Sequence, residues 1–189
     1  TYTDNDDSDD DATDTAAFSE LSFKITPDLM GTIKAGTKFK VYISAVTGPS
    51  GLGNDYTTYS GTALLSAAYI SPLAGTKKLS PESVGGFVGG VRVAEVEYHD
   101  AGTIQVTAAD SKDQSMKGAS SNIVLVPASF DVTLSSKTKE TVGKDFQMTI
   151  TAKSLNGETT PNYTGKVKLT PALESGLSTG TLTAASTNL

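Results

Sequence analysis

Few residues in this chain have types and spacing that could do chemistry. His99 is the only histidine, and there is no cysteine among the 189 residues. Multi-histidine metal sites, thiolate zinc sites, iron–sulfur clusters and thiol catalysis are therefore excluded. His99 lies between Tyr98 and Asp100 where a predicted strand meets a turn. With no nucleophile motif beside it, it reads as an exposed turn histidine rather than a general base. Glu95 and Glu97 share one face of a predicted strand, a pairing that glycoside hydrolysis can use. The chain has no tryptophan and only 7% aromatic residues to line a sugar groove, so the pair reads as a solvated outer face.

Asp4, Asp6, Ser8 and Asp10 have the alternate spacing of an oxygen-ligand calcium loop. The sixth position of such a loop would be Asp9 instead of glycine and the twelfth Thr15 instead of a bidentate glutamate, so the pattern is incomplete. Asp4, Asp6 and Asp10 are retained as a calcium candidate, and no other cofactor is expected. Asn162-Tyr163-Thr164 is a sequon, which makes Asn162 a glycosylation candidate in a host that glycosylates. An intramolecular lysine isopeptide would need a buried lysine, whereas the alternation of the strands puts Lys24, Lys38 and Lys40 outside.

The elements that must position these residues follow from composition and pattern. Seven of the 21 acidic residues are aspartates within the first fourteen positions, so the body carries 14 acidic against 15 basic residues. With one arginine, Arg92, and no basic cluster, there is little to bind a phosphate backbone, and no nucleic-acid partner is expected. No apolar run reaches the ~20 residues of a membrane-spanning helix, so no membrane insertion is expected. Residues 1–17 are too polar to repay the entropy of ordering and read as an acidic flexible tail or linker. From Phe18 the texture changes to period-two alternation in "LSFKIT", "TKFKVYISA", "GTALLSA", "GVRVAEVEY", "TIQVTAAD" and "NIVLV", each bounded by turn residues. The chain is expected to be all-β.

An internal repeat organises these segments. "FKITPDLMGTIKAGTKFKVYISA" (23–45) matches "FDVTLSSKTKETVGKDFQMTITA" (130–152) without gaps at an offset of 107. After a three-residue difference in loop length, "YSGTALLS" (59–66) matches "YTGKVKLT" (163–170). Each copy is expected to cross a Gly turn between two strands and to enter a third behind Tyr-x-Gly. The first copy spans 18–127. The second, 128–189, holds only the N-terminal part of the unit and is expected to leave an open core. Further chain resembling "GVRVAEVEYHDAGTIQVTAAD" is expected to close it, or else strands donated by another subunit.

In "AGTKFKVYISA" and "VGKDFQMTITA", in the Tyr-x-Gly entries, and in "YHDAGTIQVTAAD" ahead of "SSNIVLVP", the module resembles the bacterial immunoglobulin-like domains of invasin-type adhesins and of large cell-surface or pilus-biogenesis proteins. The resemblance covers nearly all of the chain after residue 17. It implies tandem immunoglobulin-like β-sandwiches, the second incomplete in this sequence, strung outside the cell or on its surface. Such modules act as spacers, and some carry binding loops at one end or bind calcium between domains. An antibody-type domain would have tyrosine and cysteine where Ile104 and Val106 stand, so two apolar side chains are expected to fill the space of a disulfide.

The function expected from this reading is that of a non-enzymatic extracellular structural or adhesive module: a spacer or stalk, or a subunit of a surface layer or filament. Its partners would be neighbouring modules or subunits. Two alternatives stay open: a glycan- or receptor-binding module using the 47–61 loop, and an accessory domain of a larger secreted enzyme. Deleting residues 1–17 should leave the unfolding free energy of the first module within roughly 0.5 kcal/mol of its original value. Calcium at micromolar concentration that protects this segment from protease would overturn the linker reading.

Overall fold

The computed structural model describes residues 20–135 and 143–170. Apolar residues recur with period two, so every long element among them is a strand. One 3-10 turn, Pro49–Gly51, is the only helical piece of the described residues. The first repeat contributes β1 (Leu21–Pro27), β2 (Ile33–Lys34), β3 (Phe39–Thr47), β4 (Asn54–Asp55), β5 (Ala63–Ser71), β6 (Leu79–Ser80), β7 (Ser83–Val84), β8 (Val91–Tyr98), β9 (Gly102–Asp110), β10 (Lys117–Ala119) and β11 (Ile123–Val126). Its first sheet runs β1-β3-β8-β6 with β4 beside β3, and its second runs β2-β11-β9-β5-β7 with β10 beside β9. β2 pairs parallel to β11, and the other pairings are antiparallel.

Both sheets turn their alternate apolar residues into one core. Phe23, Ile25, Phe39, Val41, Ile43, Ala94 and Val96 come from the first sheet, and Ala63, Leu65, Ile104, Val106, Ala108, Ile123 and Leu125 from the second. Lys24, Lys38 and Lys40 are exposed, as the alternation requires. On β9 the buried set is Ile104, Val106, Ala108 and Asp110, while Thr103, Gln105 and Thr107 face outward and are half-buried. Ser22 breaks the alternation of β1 because its hydroxyl donates to Gly48 O and accepts from Gly51 N, which pins the 47–61 loop to the strand. At the crossing from β8 to β9, Gly102 has φ 131°, and a Cβ there would lie 2.5 Å from Ser71 O. Only glycine fits that step.

The six long strands fall where the alternation predicts them. The two- and three-residue elements β2, β4, β6, β7 and β10 are too short to show a period, and the sequence does not announce them.

The described part of the second repeat reproduces the β1–β3 pairing of the first. β12 (Ser129–Leu134) pairs with β13 (Met148–Lys153) as a separate two-stranded sheet. Phe130 faces Ala152 and Val132 faces Ile150, just as Phe23 faces Ala45 and Ile25 faces Ile43. The backbone bond from Asp28 N to Lys40 O recurs from Ser135 N to Gln147 O, and that from Tyr56 N to Ala45 O recurs from Thr160 N to Ala152 O. Phe23 and Tyr59 rings lie 5.4 Å apart, and so do those of Phe130 and Tyr163. The third strand differs. In the first repeat β5 is held along its length by β9, whereas among the described residues none forms a strand against 167–170. The remainder of the expected third strand lies outside the described residues.

Val106 is fully buried between the sheets. Val106→Asp should place an unpaired charge there and abolish the cooperative thermal transition of the first module; circular dichroism melts check this, and an unchanged melt would show that β9 faces the other way.

Candidate functional site

The residues with chemical potential converge where the two repeats meet. β11 ends at Val126 and β12 begins at Ser129, so only Pro127 and Ala128 connect them. Pro127 has a fixed φ and no N–H, which restricts that connection. Ala35 lies across it, its N–H donating to Val126 O and its carbonyl accepting from Leu155 N of the second repeat, at 2.8 and 2.9 Å. Gly36 sits so close to Leu155 that a Cβ would come within 3.2 Å of Leu155 N.

The second repeat presents a tight Asn156-Gly157 turn to this end of the first. Ser154 N donates to Glu158 O, Gly157 N donates to Ser154 O, and Gly157 takes φ 76°. This fixes Glu158 against the first repeat. Its Oε2 lies 2.6 Å from Lys77 Nζ and its Oε1 3.0 Å from His99 Nδ1. The other ring nitrogen of His99 is 3.4 Å from Glu97 Oε1. His99 is therefore not the exposed turn histidine expected from its neighbours. Its side chain is 16% exposed, held between two carboxylates because the second repeat folds over the turn. Glu95 keeps the solvated position expected of it, with Lys38 Nζ 3.8 Å away.

Beside this cluster, Asp100 is fully buried. Its Oδ1 accepts from Ala101 N at 2.8 Å and from Asn162 N at 3.1 Å, one donor from each repeat. Its Oδ2 has no hydrogen-bond partner among the described residues. Burial pushes the carboxyl above the usual aspartate range, against the backbone donors and the nearby charge of Lys77, which pull it down. Glu158 moves the other way, held below the usual glutamate range chiefly by Lys77 and His99.

The glycosylation candidate Asn162 belongs to the same joint. Its backbone binds Asp100 and its side-chain amide donates to Ala74 O at 3.2 Å. The sequence marks His99 and Asn162 for separate reasons, and the structure brings them together beside Asp100. It gives no signal for Lys77 and Glu158, which are 81 residues apart and look like ordinary surface charges. The Asn-Gly turn is the one local sign that Glu158 is held in place.

The 47–61 loop is arranged differently. Tyr56 and Tyr59 pack against the core, Tyr59 edge-on to Phe87 at 4.8 Å, and the Tyr59 hydroxyl donates to Asp110 Oδ2 at 2.5 Å. Burial raises the Tyr59 hydroxyl, reinforced by Asp110. Burial works to raise Asp110, but the hydrogen bonds from Tyr59 and from the N–H groups of Asp113 and Lys112 outweigh it and hold this carboxyl below its usual range. The rings that could stack on a sugar are thus committed to the interior. A surface cavity of about 480 Å³ lies near Ser50 of the loop. Its walls are mostly Ser, Thr, Ala and Gly, with Glu20 and Lys117 as the only charged groups.

Among the described residues no three His, Asp or Glu side chains are grouped to hold a metal ion. The calcium candidate Asp4, Asp6 and Asp10 lies outside the described residues. No helix of the described residues is long and apolar enough to cross a membrane. Comparison with protein-family models, curated proteins and solved structures found no match.

The two joint carboxylates should give opposite pH signatures. The depressed Glu158 stabilises above the ordinary glutamate pKa of about 4.3, and that stabilisation is lost as pH falls through its folded value. The raised Asp100 favours the fold below the ordinary aspartate pKa of about 3.9, and that contribution is lost as pH rises. In urea unfolding between about pH 3 and 7, Glu158→Gln should remove part of the native gain in stability on raising pH. Asp100→Asn, which keeps the Oδ1 acceptor, should gain on the native chain as pH rises. A D100N difference independent of pH would mean that Asp100 is not desolvated as described.

Proposed function

We propose that the chain is a non-enzymatic structural or adhesive element of the cell exterior, built of tandem immunoglobulin-like β-sandwiches and acting as a spacer, a stalk, or a subunit of a surface layer or filament. The observation that carries this reading is the joint. A two-residue connection, the shared backbone of Ala35, the buried Asp100 and the Lys77–Glu158–His99 cluster bind one repeat to the next. Such a contact sets the angle between modules, which is what a load-bearing or spacing element requires.

The strand order supports the immunoglobulin-like assignment. β1-β3-β8-β6 opposite β11-β9-β5 follows the four-against-three arrangement of that fold. The chain switches from the edge of one sheet at β1 to the edge of the other at β2. The extracellular setting comes from the family resemblance, and a chain without cysteine is compatible with it. Against the reading of 47–61 as a glycan- or receptor-binding loop stands the inward placement of Tyr56 and Tyr59. The exposed Leu52 is the one large apolar side chain that the loop offers outward. The accessory-domain reading draws on no feature of the joint.

Nuclear-spin relaxation of the full chain tests the proposal. The amides of β3 and β13 should report one rotational correlation time, and Glu158→Ala combined with Asn162→Pro, which removes the N–H donated to Asp100, should separate them while leaving the first module folded. Independent tumbling in the native chain would rule out a rigid spacer.

A further inference from the structure

The second repeat carries a surface whose partner can be specified from the first. Phe130, Val132, Leu134 and Phe146 are 38%, 53%, 47% and 37% exposed. Three of their counterparts, Phe23, Ile25 and Phe39, are 1%, 6% and 5% exposed in the first repeat. Pairing register, backbone bonds and the aromatic pair are the same in both copies. What differs is the cover. In the first repeat, Phe87 and the inward residues of β9 and β11, namely Ile104, Val106, Ile123 and Leu125, close the face. Tyr59 also finds its acceptor there, on Asp110. In the second repeat, the acceptor of the Tyr163 hydroxyl among the described residues is the carbonyl of Lys166, at 3.4 Å.

We propose that the β12–β13 ribbon is a docking surface for a polypeptide segment of this repeat's own β8–β11 pattern. Such a segment has apolar side chains at alternate positions and a carboxylate in the place of Asp110 to accept the hydroxyl of Tyr163. The alternation matches the pleat of the open face. The carboxylate supplies the one polar contact that fixes register, since a slip of one residue would turn the apolar set outward. An unrelated amphipathic helix would fill the face but leave Tyr163 without that acceptor. This inference rests on the tandem reading above, and it concerns the ribbon rather than the joint.

The full 189-residue chain, isotope-labelled, is titrated with a synthetic peptide of the chain's own Val91–Val126 sequence. Saturable one-to-one binding is expected, with hydrogen exchange slowed at the amides of 130–134 and 148–152 and unchanged in the first module, which already holds its own copy. Asp110→Asn in the peptide and Tyr163→Phe in the chain should each weaken binding about tenfold, and together no more than either alone. Absent binding, or binding indifferent to both substitutions, overturns the proposal. Two results before any peptide is added also overturn it: a monomer whose ribbon amides are already protected, which assigns the cover to residues 171–189, and a dimer that protects them, which assigns it to a second copy. Free tumbling of the modules with normal peptide binding would fail the rigid-spacer reading alone.

Discussion

The carboxylate of Asp100 is the constraint on which the arrangement of the two repeats depends. One of its oxygens accepts both the N–H that begins the β8–β9 crossing and an N–H from the second repeat. The turn of one module and the placement of the next are thereby made by the same atom. A buried carboxylate with one unpartnered oxygen is costly. Its cost is offset by the two backbone donors to Oδ1 and by the raised pKa, which favours the uncharged form. The surrounding side chains of Lys77, Glu158 and His99 stay nearer solvent, where they orient the second module at lower desolvation cost.

The first module solves its core without covalent help. Ile104 and Val106 on β9, Val41 and Ile43 on β3, and the Phe23–Tyr59–Phe87 cluster leave no space that a crosslink would have to span. Tyr59 ties the two sheets through Asp110, whose carboxylate in turn organises the turn after β9 through Lys112 and Asp113. The aromatic ring and its acceptor therefore link the core to a loop that would otherwise have little to hold it.

Much of this was legible in the sequence, because period-two alternation and an ungapped repeat are local and additive signals. The six long strands, the inward parity of β9 and the outward lysines follow from them directly. Pairs such as Lys77 with Glu158, or Asp100 with the backbone of Asn162, depend on how two units meet across many tens of residues, and no spacing rule encodes that. His99 shows the limit most clearly. Its neighbours describe a turn open to solvent, and only the fold of residues 154–162 over that turn makes it half-buried.

The parallel pairing of β2 with β11 bears on how tension would pass through the first module. Ile33 and Lys34 lie beside Leu125 and Val126, and the N–H of Ala35 adds a further bond to Val126 O. β2 lies just after the first strand, and β11 leads into the second repeat. Pulling the chain by its two ends would draw these two short strands past each other lengthwise, loading their hydrogen bonds together instead of opening them one at a time. The strands are brief, but they sit at the exit of the module, so its resistance to stretching would be concentrated in a few residues next to the joint and not spread through the two sheets.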